Sequence, residues 1–285
     1  MVVSLSARKL LTAPTMSTLA LFDIPLPAPS TGAAPAKKSK KSGEDKGAAL
    51  RAKMLEVHGR LCGEYHCPIG YFHNLDPMDE LISSLLSHRT KNADSGRAWK
   101  QLKTRFPNWE DALSAPVAEI EEAIAPCTWP EQKAPRIQAV LREVKGRRAE
   151  FSLNFLAEMS VPDARAWLES ITGIGPKTSA ATLAFSGLRM RALPVDSHHH
   201  RVAQRLDLIP ASLSVGPSHA VLEAMLPADW NAQQVYDNHE ILMLHGQRVC
   251  HHHAPKCNGC VLLDICPTGQ KLTANVPEEE MRQAS

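Results

Sequence analysis

Leu168-Glu169-Ser170-Ile171-Thr172-Gly173-Ile174-Gly175-Pro176-Lys177-Thr178 reads as the end of one helix, a tight glycine turn and the start of a second helix near Pro176. Gly173 and Gly175 allow backbone conformations that other residues resist, and a proline suits a first helical turn, where its missing amide costs nothing. Amides left free at a helix N-terminus, together with the positive end of the helix dipole, make an anion site that can grip a phosphate without side chains. The pattern is that of a helix-hairpin-helix, although a Gly-x-Gly turn also serves as a plain connector. Lys177 lies just inside the second helix. The positive potential there predicts a pKa below the ordinary value of about 10.4, and a neutral amine is a nucleophile. Taken alone, the residue reads as a surface lysine.

Outward from this turn, apolar residues recur at spacings of three and four: Leu81, Ile82, Leu85 and Leu86; Leu102 and Phe106; Ile137, Val140, Leu141 and Val144. Such spacing predicts amphipathic helices. Breaks fall at Pro107, Pro126, Pro130, Pro162, Pro194, Pro210 and Pro227, and Pro162-Asp163 offers a capped start. Little of the chain alternates with period two, and aromatics make up 5% of it, so the fold class expected is all-α. No repeat of solenoid length is visible.

The 285 residues, 44% hydrophobic and 22% charged, describe a globular chain long enough for two domains. Thirty-two Lys and Arg against thirty Asp and Glu give a net charge of +2, which excludes a histone-like electrostatic binder and requires a local basic face for any polyanion. Six basic residues between Lys133 and Arg148 (Lys133, Arg136, Arg142, Lys145, Arg147, Arg148) against Glu143, with Arg189, Arg191, Arg201 and Arg205 after the hairpin, are candidates for that face or for a solvated helix surface. Residues 1–45, rich in Ala, Pro, Ser and Lys, read as a disordered basic arm. No run reaches the roughly 18 apolar residues of a membrane span. Leu10 to Phe22 lacks charge, but its threonines, Ser17 and Pro14 dilute it, so a secretory leader is not expected.

Seven cysteines are present, four of them in the run Cys250-x6-Cys257-x2-Cys260-x5-Cys266-Pro267, with Cys62, Cys67 and Cys127 scattered. One tight cluster within an odd total favours a metal centre in a reducing compartment over a disulfide framework. Four thiolates suit a 4Fe-4S cube or tetrahedral zinc, and donor chemistry alone does not separate them. Pro194-Val195-Asp196-Ser197-His198 opens a further helix that Asp196 can cap. The triplets His198-His199-His200 and His251-His252-His253 read as exposed histidines rather than metal ligands.

The stretch from His245-Gly246-Gln247-Arg248-Val249-Cys250 through Asp264-Ile265-Cys266-Pro267 resembles the iron-sulfur loop of the endonuclease III family of DNA repair glycosylases, whose cysteine spacing it matches. The hairpin lysine, the Val-Asp-Ser-His box and the cysteines follow in the family's order, so the resemblance spans roughly residues 48 to 270. It implies two helical domains flanking a cleft: a six-helix barrel at 74–189, an iron-sulfur domain from 46–73 and 190–270, and a tail at 271–285.

The resemblance also implies a bifunctional DNA glycosylase and abasic-site lyase of base excision repair, directed at oxidised pyrimidines. Lys177 would form the Schiff base, Asp196 would assist its attack, and β-elimination would nick the strand. Cys250, Cys257, Cys260 and Cys266 would hold a structural 4Fe-4S cluster. The partner would be double-stranded DNA containing damaged bases or abasic sites, met by a monomer in the cytoplasm, at the nucleoid if the protein is bacterial. Gly173, Gly175, His198, Arg248 and Lys256 are candidate DNA contacts. Leu85 to Asn92 is similar to the family's gap-filling stretch, but Arg89 stands where glutamine is usual, and Trp129 in Cys127-Thr128-Trp129-Pro130 stands where a small aliphatic wedge is common. These departures leave open an enzyme that is mainly an abasic-site lyase or acts on another lesion. A non-catalytic DNA-binding or electron-transfer iron-sulfur protein would keep the cysteines and the basic face.

Overall fold

The computed structural model describes residues 38–274, with side chains from Asp45 onward. Most of the arm expected at 1–45 and the end of the tail, 275–285, lie outside the described residues. Helix α1 (Lys38–Tyr65) begins within the stretch expected to be an arm. Eleven further α-helices follow: α2 (Pro77–Ser87), α3 (Asn92–Arg105), α4 (Trp109–Ser114), α5 (Val117–Ala123), α6 (Pro130–Arg148), α7 (Val161–Glu169), α8 (Pro176–Phe185), α9 (Ser197–Arg205), α10 (Val215–Glu223), α11 (Ala232–Arg248) and α12 (Pro267–Ala274). Helix α12 takes in the first residues of the expected tail. No strand occurs among the described residues, as the apolar spacing predicts.

Local chemistry sets the helix starts. Asp76 accepts from the amide of Met78 ahead of Pro77, Ser160 accepts from Asp163, and Asp196 accepts from His199, so each of these helices opens on a side-chain cap. Asn231 and Gln234 form a reciprocal capping box at the head of α11. Helix α8 opens on Gly175 with Pro176 at its first turn.

Packing separates the described residues into two apolar cores. Met78, Leu81, Leu85, Leu102, Ile137, Leu141, Leu168 and Leu183 belong to the first, which runs from α2 to α8. Met54, Val57 and Leu61 of α1 pack in the second with Leu193, Val202, Leu206, Val235, Ile241 and Leu242. Ala181, Ala184 and Phe185 of α8 meet Tyr236 of α11 between them. Cys62 and Cys67 are joined as a disulfide, a pairing the cysteine count does not predict because it closes only a local loop; Cys127 is free and buried.

Truncating a fully buried residue loses both transfer free energy and packing, so Leu81→Ala is expected to cost about 2–5 kcal/mol in urea unfolding. Leu55→Ala, at a position 42% exposed on α1, should stay within about 0.5 kcal/mol.

Candidate active site

The turn between α7 and α8 adopts the expected hairpin. Gly173 has φ of +92°, a backbone that L side chains rarely adopt, and the side chain of Arg136 lies where its Cβ would point. Gly175 differs from expectation. Its φ of −110° and ψ of 178° are extended backbone open to any residue, and its bare Cα leaves open space instead. Among the described residues the amides of Gly173, Gly175, Lys177 and Thr178 have no acceptor, while that of Thr172 donates to Glu143. Four free donors at a helix N-terminus have the arrangement that the sequence reading expects of an anion site.

Helix α8 packs on α2, and this contact brings Lys177 to the end of α2, where its Nζ donates to Ser87 Oγ at 3.1 Å. Beside it, His88 Nε2 and Thr178 Oγ1 are 3.0 Å apart. Burial, and then the charges of Lys177, Lys133 and Arg136, push the His88 pKa down to about 4, so the ring stands neutral beside the amine. The Lys177 pKa is lowered, as the helix-end argument predicts, but the dominant cause is burial. The carboxylates of Asp196 and Glu80 lie close enough to act on it in the opposite sense. Asp196 stands partly buried at the head of α9, with Oδ1 accepting the His199 amide at 2.7 Å. Lys177 and Asp196 are thus within electrostatic reach of each other, and each also acts on His239 of α11.

Several groups in this region carry no motif. Glu80 is 2% exposed on α2, accepts from Ser84 Oγ at 2.9 Å, has His73 Nε2 within 3.2 Å, and is pushed by burial up to about 7. Lys133, expected on a basic face, is buried: its Nζ donates to Leu86 O at 2.7 Å, His88 O at 2.8 Å and Thr90 Oγ1 at 2.7 Å. An ammonium on the last carbonyls of α2 satisfies groups a helix end leaves unpaired and fixes the segment that carries Ser87. Arg189, Arg191, Arg201 and Arg205 likewise donate to loop carbonyls, those of His73, Trp230, Cys250 and His251 among them. Charge in a sequence does not reveal what it faces.

Arg89 and Trp129, with φ of +50° and +55°, stand exposed together, the guanidinium 5.7 Å from the ring centroid. The Thr90 hydroxyl accepts the Thr128 amide and so joins their two loops. His198, a candidate DNA contact, packs on Gly246 of α11, and its Nδ1 meets Arg201. His199, expected to be exposed, is fully buried because it falls on the inward face of α9 with Val202 and Leu206. Arg248 and Lys256 are exposed, Arg248 beside the Tyr65 ring.

Cys250, Cys257, Cys260 and Cys266 line one cavity with Leu262, Leu263 and Gly269. Donors reach three of the sulfurs: Arg205 Nη1 to Cys250 at 3.2 Å, the Leu262 amide to Cys260 at 3.4 Å and the Gly269 amide to Cys266 at 3.3 Å. A Cβ at Gly269 would crowd Leu263 and Cys266. Four thiols around one cavity, with amide and guanidinium donors on three of them, fit a thiolate-bound metal centre.

Residues 82–225 match the family model described as HhH-GPD superfamily base excision DNA repair protein. A protein of Arabidopsis thaliana that carries the name of a DNA glycosylase is 31% identical over 173 residues, 61% of this chain and 57% of that one. Endonuclease III of Thermotoga maritima is 29% identical over 195 residues, 67% of this chain and 83% of that protein. Endonuclease III of Escherichia coli is 26% identical over 226 residues, 78% and 98% of the two. A solved structure of a trapped endonuclease III–DNA covalent intermediate superposes with a TM-score of 0.66 at 22% identity, covering 78% of this chain and 98% of that one. The chain belongs to the HhH-GPD superfamily of base excision DNA repair proteins.

Burial of an ionisable carboxyl has a measurable consequence at this site. Because the folded-state pKa of Glu80 is raised to about 7 from 4.5, its contribution to stability is complete below the unfolded value and is lost as pH rises through 7. Glu80→Gln is expected to raise the melting temperature at pH 8, by up to about 3 kcal/mol of stability, with no gain at pH 4. A variant equally displaced at both pH values would show that the carboxyl is not the cause.

Proposed function

We propose that this protein is a bifunctional DNA glycosylase and abasic-site lyase of base excision repair that removes oxidised pyrimidines from double-stranded DNA, with Lys177 as nucleophile and Asp196 as the carboxylate that assists it. The observation that carries this reading is a buried amine of depressed pKa, held by Ser87 within electrostatic reach of Asp196 and next to a turn with free amides. The turn would hold a phosphate of the strand, and the target nucleotide would be extruded so that its sugar reaches Lys177.

The chemistry follows from these groups. The neutral Nζ attacks the anomeric carbon as the glycosidic bond breaks, its electron pair leaving with the base, which takes up a proton. Asp196 stabilises the positive charge that develops on the sugar. The new secondary ammonium then loses one proton, the bond from the anomeric carbon to the ring oxygen breaks with that oxygen taking up a proton, and a protonated imine with Lys177 remains. The imine acidifies the neighbouring sugar hydrogen, and loss of that proton expels the 3′ phosphate, nicking the strand. Water finally releases the imine and restores the amine.

Cys250, Cys257, Cys260 and Cys266 would hold a 4Fe-4S cluster whose part here is structural, bracing the loop on which Arg248 and Lys256 could meet phosphates. The two apolar cores would correspond to a barrel at 74–189 and a cluster domain from 46–73 and 190–270, with DNA held between them by a monomeric enzyme. No helix among the described residues is long and apolar enough to cross a membrane.

Arg89 and Trp129 favour a second reading of specificity. An exposed cation lying against an indole can stack on a base and donate to its edge at the gap left by extrusion. Such a pair suits an enzyme acting chiefly on abasic sites or on a lesion other than an oxidised pyrimidine.

Borohydride trapping on an abasic duplex decides the nucleophile. Wild type should give a covalent adduct and Lys177→Ala none, while an adduct of equal yield from both removes Lys177 from the role. Asp196→Asn should slow base release by about 10²–10⁴-fold. Rates on duplexes with thymine glycol, a uracil mispair and an abasic site, compared between wild type and Arg89→Gln, separate the two readings of specificity.

A further inference from the structure

The connector that ends at Asp196 is neither helix nor strand, yet its backbone is buried. Leu193, Val195 and Pro194 are inaccessible to solvent or nearly so, and their peptide groups must find partners inside the protein. Side chains from three helices supply them. Arg165 Nη2 of α7 donates to Leu193 O at 3.2 Å, His239 Nδ1 of α11 meets Pro194 O at 2.9 Å, and His219 Nε2 of α10 meets the Val195 amide at 3.0 Å.

The two histidine contacts differ in kind. A carbonyl can only accept, so His239 carries its proton on Nδ1 and would keep this bond if its second nitrogen also became protonated. An amide can only donate, so His219 must offer a bare Nε2. Its Nδ1 lies 3.0 Å from Val215 O and 3.1 Å from Gly216 O, which makes that nitrogen the donor and fixes the tautomer. Protonation of His219 would set two N–H groups against each other, one residue before Asp196.

We propose that His219 is a positioning residue: by accepting the buried Val195 amide on an unprotonated Nε2, it fixes the carboxylate of Asp196 without touching substrate. The inference rests on the reading of Asp196 given above. It makes the reaction depend on the neutral state of a histidine 23 residues away in the chain, on a helix outside the hairpin, the Val-Asp-Ser-His box and the cysteine loop.

The surroundings keep the ring neutral. His219 is 3% exposed, and burial is the main cause that lowers its pKa. Facing it are Arg165 and Glu169 from α7, with opposite charges, Glu223 on its own helix in an ion pair with Arg165, and the buried neutral rings of His199 on α9 and His239 on α11. As pH falls, the bond to Val195 is lost when the ring takes up a proton despite its burial. A displacement of about 1 Å in a reacting group costs up to about 10²-fold in rate.

Glutamine can place a carbonyl oxygen where Nε2 stands and cannot be protonated, whereas leucine offers no acceptor. Single-turnover rates on abasic and lesion duplexes would be measured from pH 5 to pH 8 for full-length wild type, His219→Gln, His219→Leu and Asp196→Asn. Binding to a duplex with a non-reactive abasic analogue and exchange of the Val195 amide hydrogen would be followed in parallel. His219→Leu is expected to lose about tenfold or more in rate with binding unchanged within about threefold, and to lose protection at Val195.

His219→Gln is expected to recover most of the rate and the protection at Val195 that His219→Leu loses. A folded His219→Gln as slow as His219→Leu overturns the proposal, as does a folded His219→Leu of wild-type rate. Should His219→Leu fail to fold, the glutamine variant alone decides: a folded His219→Gln that has lost about tenfold or more in rate overturns the proposal. If Asp196→Asn is as active as wild type, the reading of Asp196 has failed and takes this proposal with it. An inactive Asp196→Asn beside an unaffected His219→Leu sinks the positioning role alone.

Discussion

Helix α8 is buried around almost its whole circumference, and the site depends on that burial. Thr178, Ser179, Ala180, Ala181, Thr182 and Ala184 are small enough to let neighbouring helices approach, and the hydroxyls find partners at short range, Thr182 on Thr178 O and Ser179 on Glu169. A helix so enclosed cannot shift without opening the first apolar core and the cluster around Tyr236. Its first turn is the part that reaches the surface, and Lys177 stands there. Desolvation of the amine is thus a by-product of the packing that fixes its position.

Around that amine the charges are arranged by burial more than by pairing. Glu80 and Glu240 are pushed up to about 7, and His88 and His239 down to about 4. Groups that would each be ionised or half-ionised in water are held near neutrality, in a region where Asp196 keeps its place as a helix cap. A buried setting with one carboxylate and one weakly basic amine suits a reaction that passes through a cationic sugar, since fixed charges there act with little screening.

Much of this was legible in the chain before any coordinates. Gly173, Pro176 and Lys177 announce the hairpin because their backbone requirements are local, and the cysteine spacing is a one-dimensional signature of a thiolate site. What could not be read depends on contacts across the fold. Lys133 has the composition of a DNA-facing residue and spends its charge on three oxygens at the end of α2. His199 sits in a triplet that looks solvated, although its spacing from Val202 and Leu206 carried the signal of an inward face. Gly175 was expected to need a special backbone and instead leaves room. Glu80, His219 and His239 belong to no motif at all, since their importance lies in which peptide group or amine the fold sets before them.

Gly246 draws one more consequence from the packing of α11 on α9. A Cβ there would fall 2.8 Å from His198 Cβ and 3.1 Å from His198 O, so the two backbones touch with no side chain as a cushion between them. Helix α11 runs directly into Cys250, and α9 begins at Asp196. The touching point leaves no room for adjustment: a substitution as small as one methyl group would pry the two helices apart, displacing at once the helix that leads to the cysteines and the one that Asp196 caps.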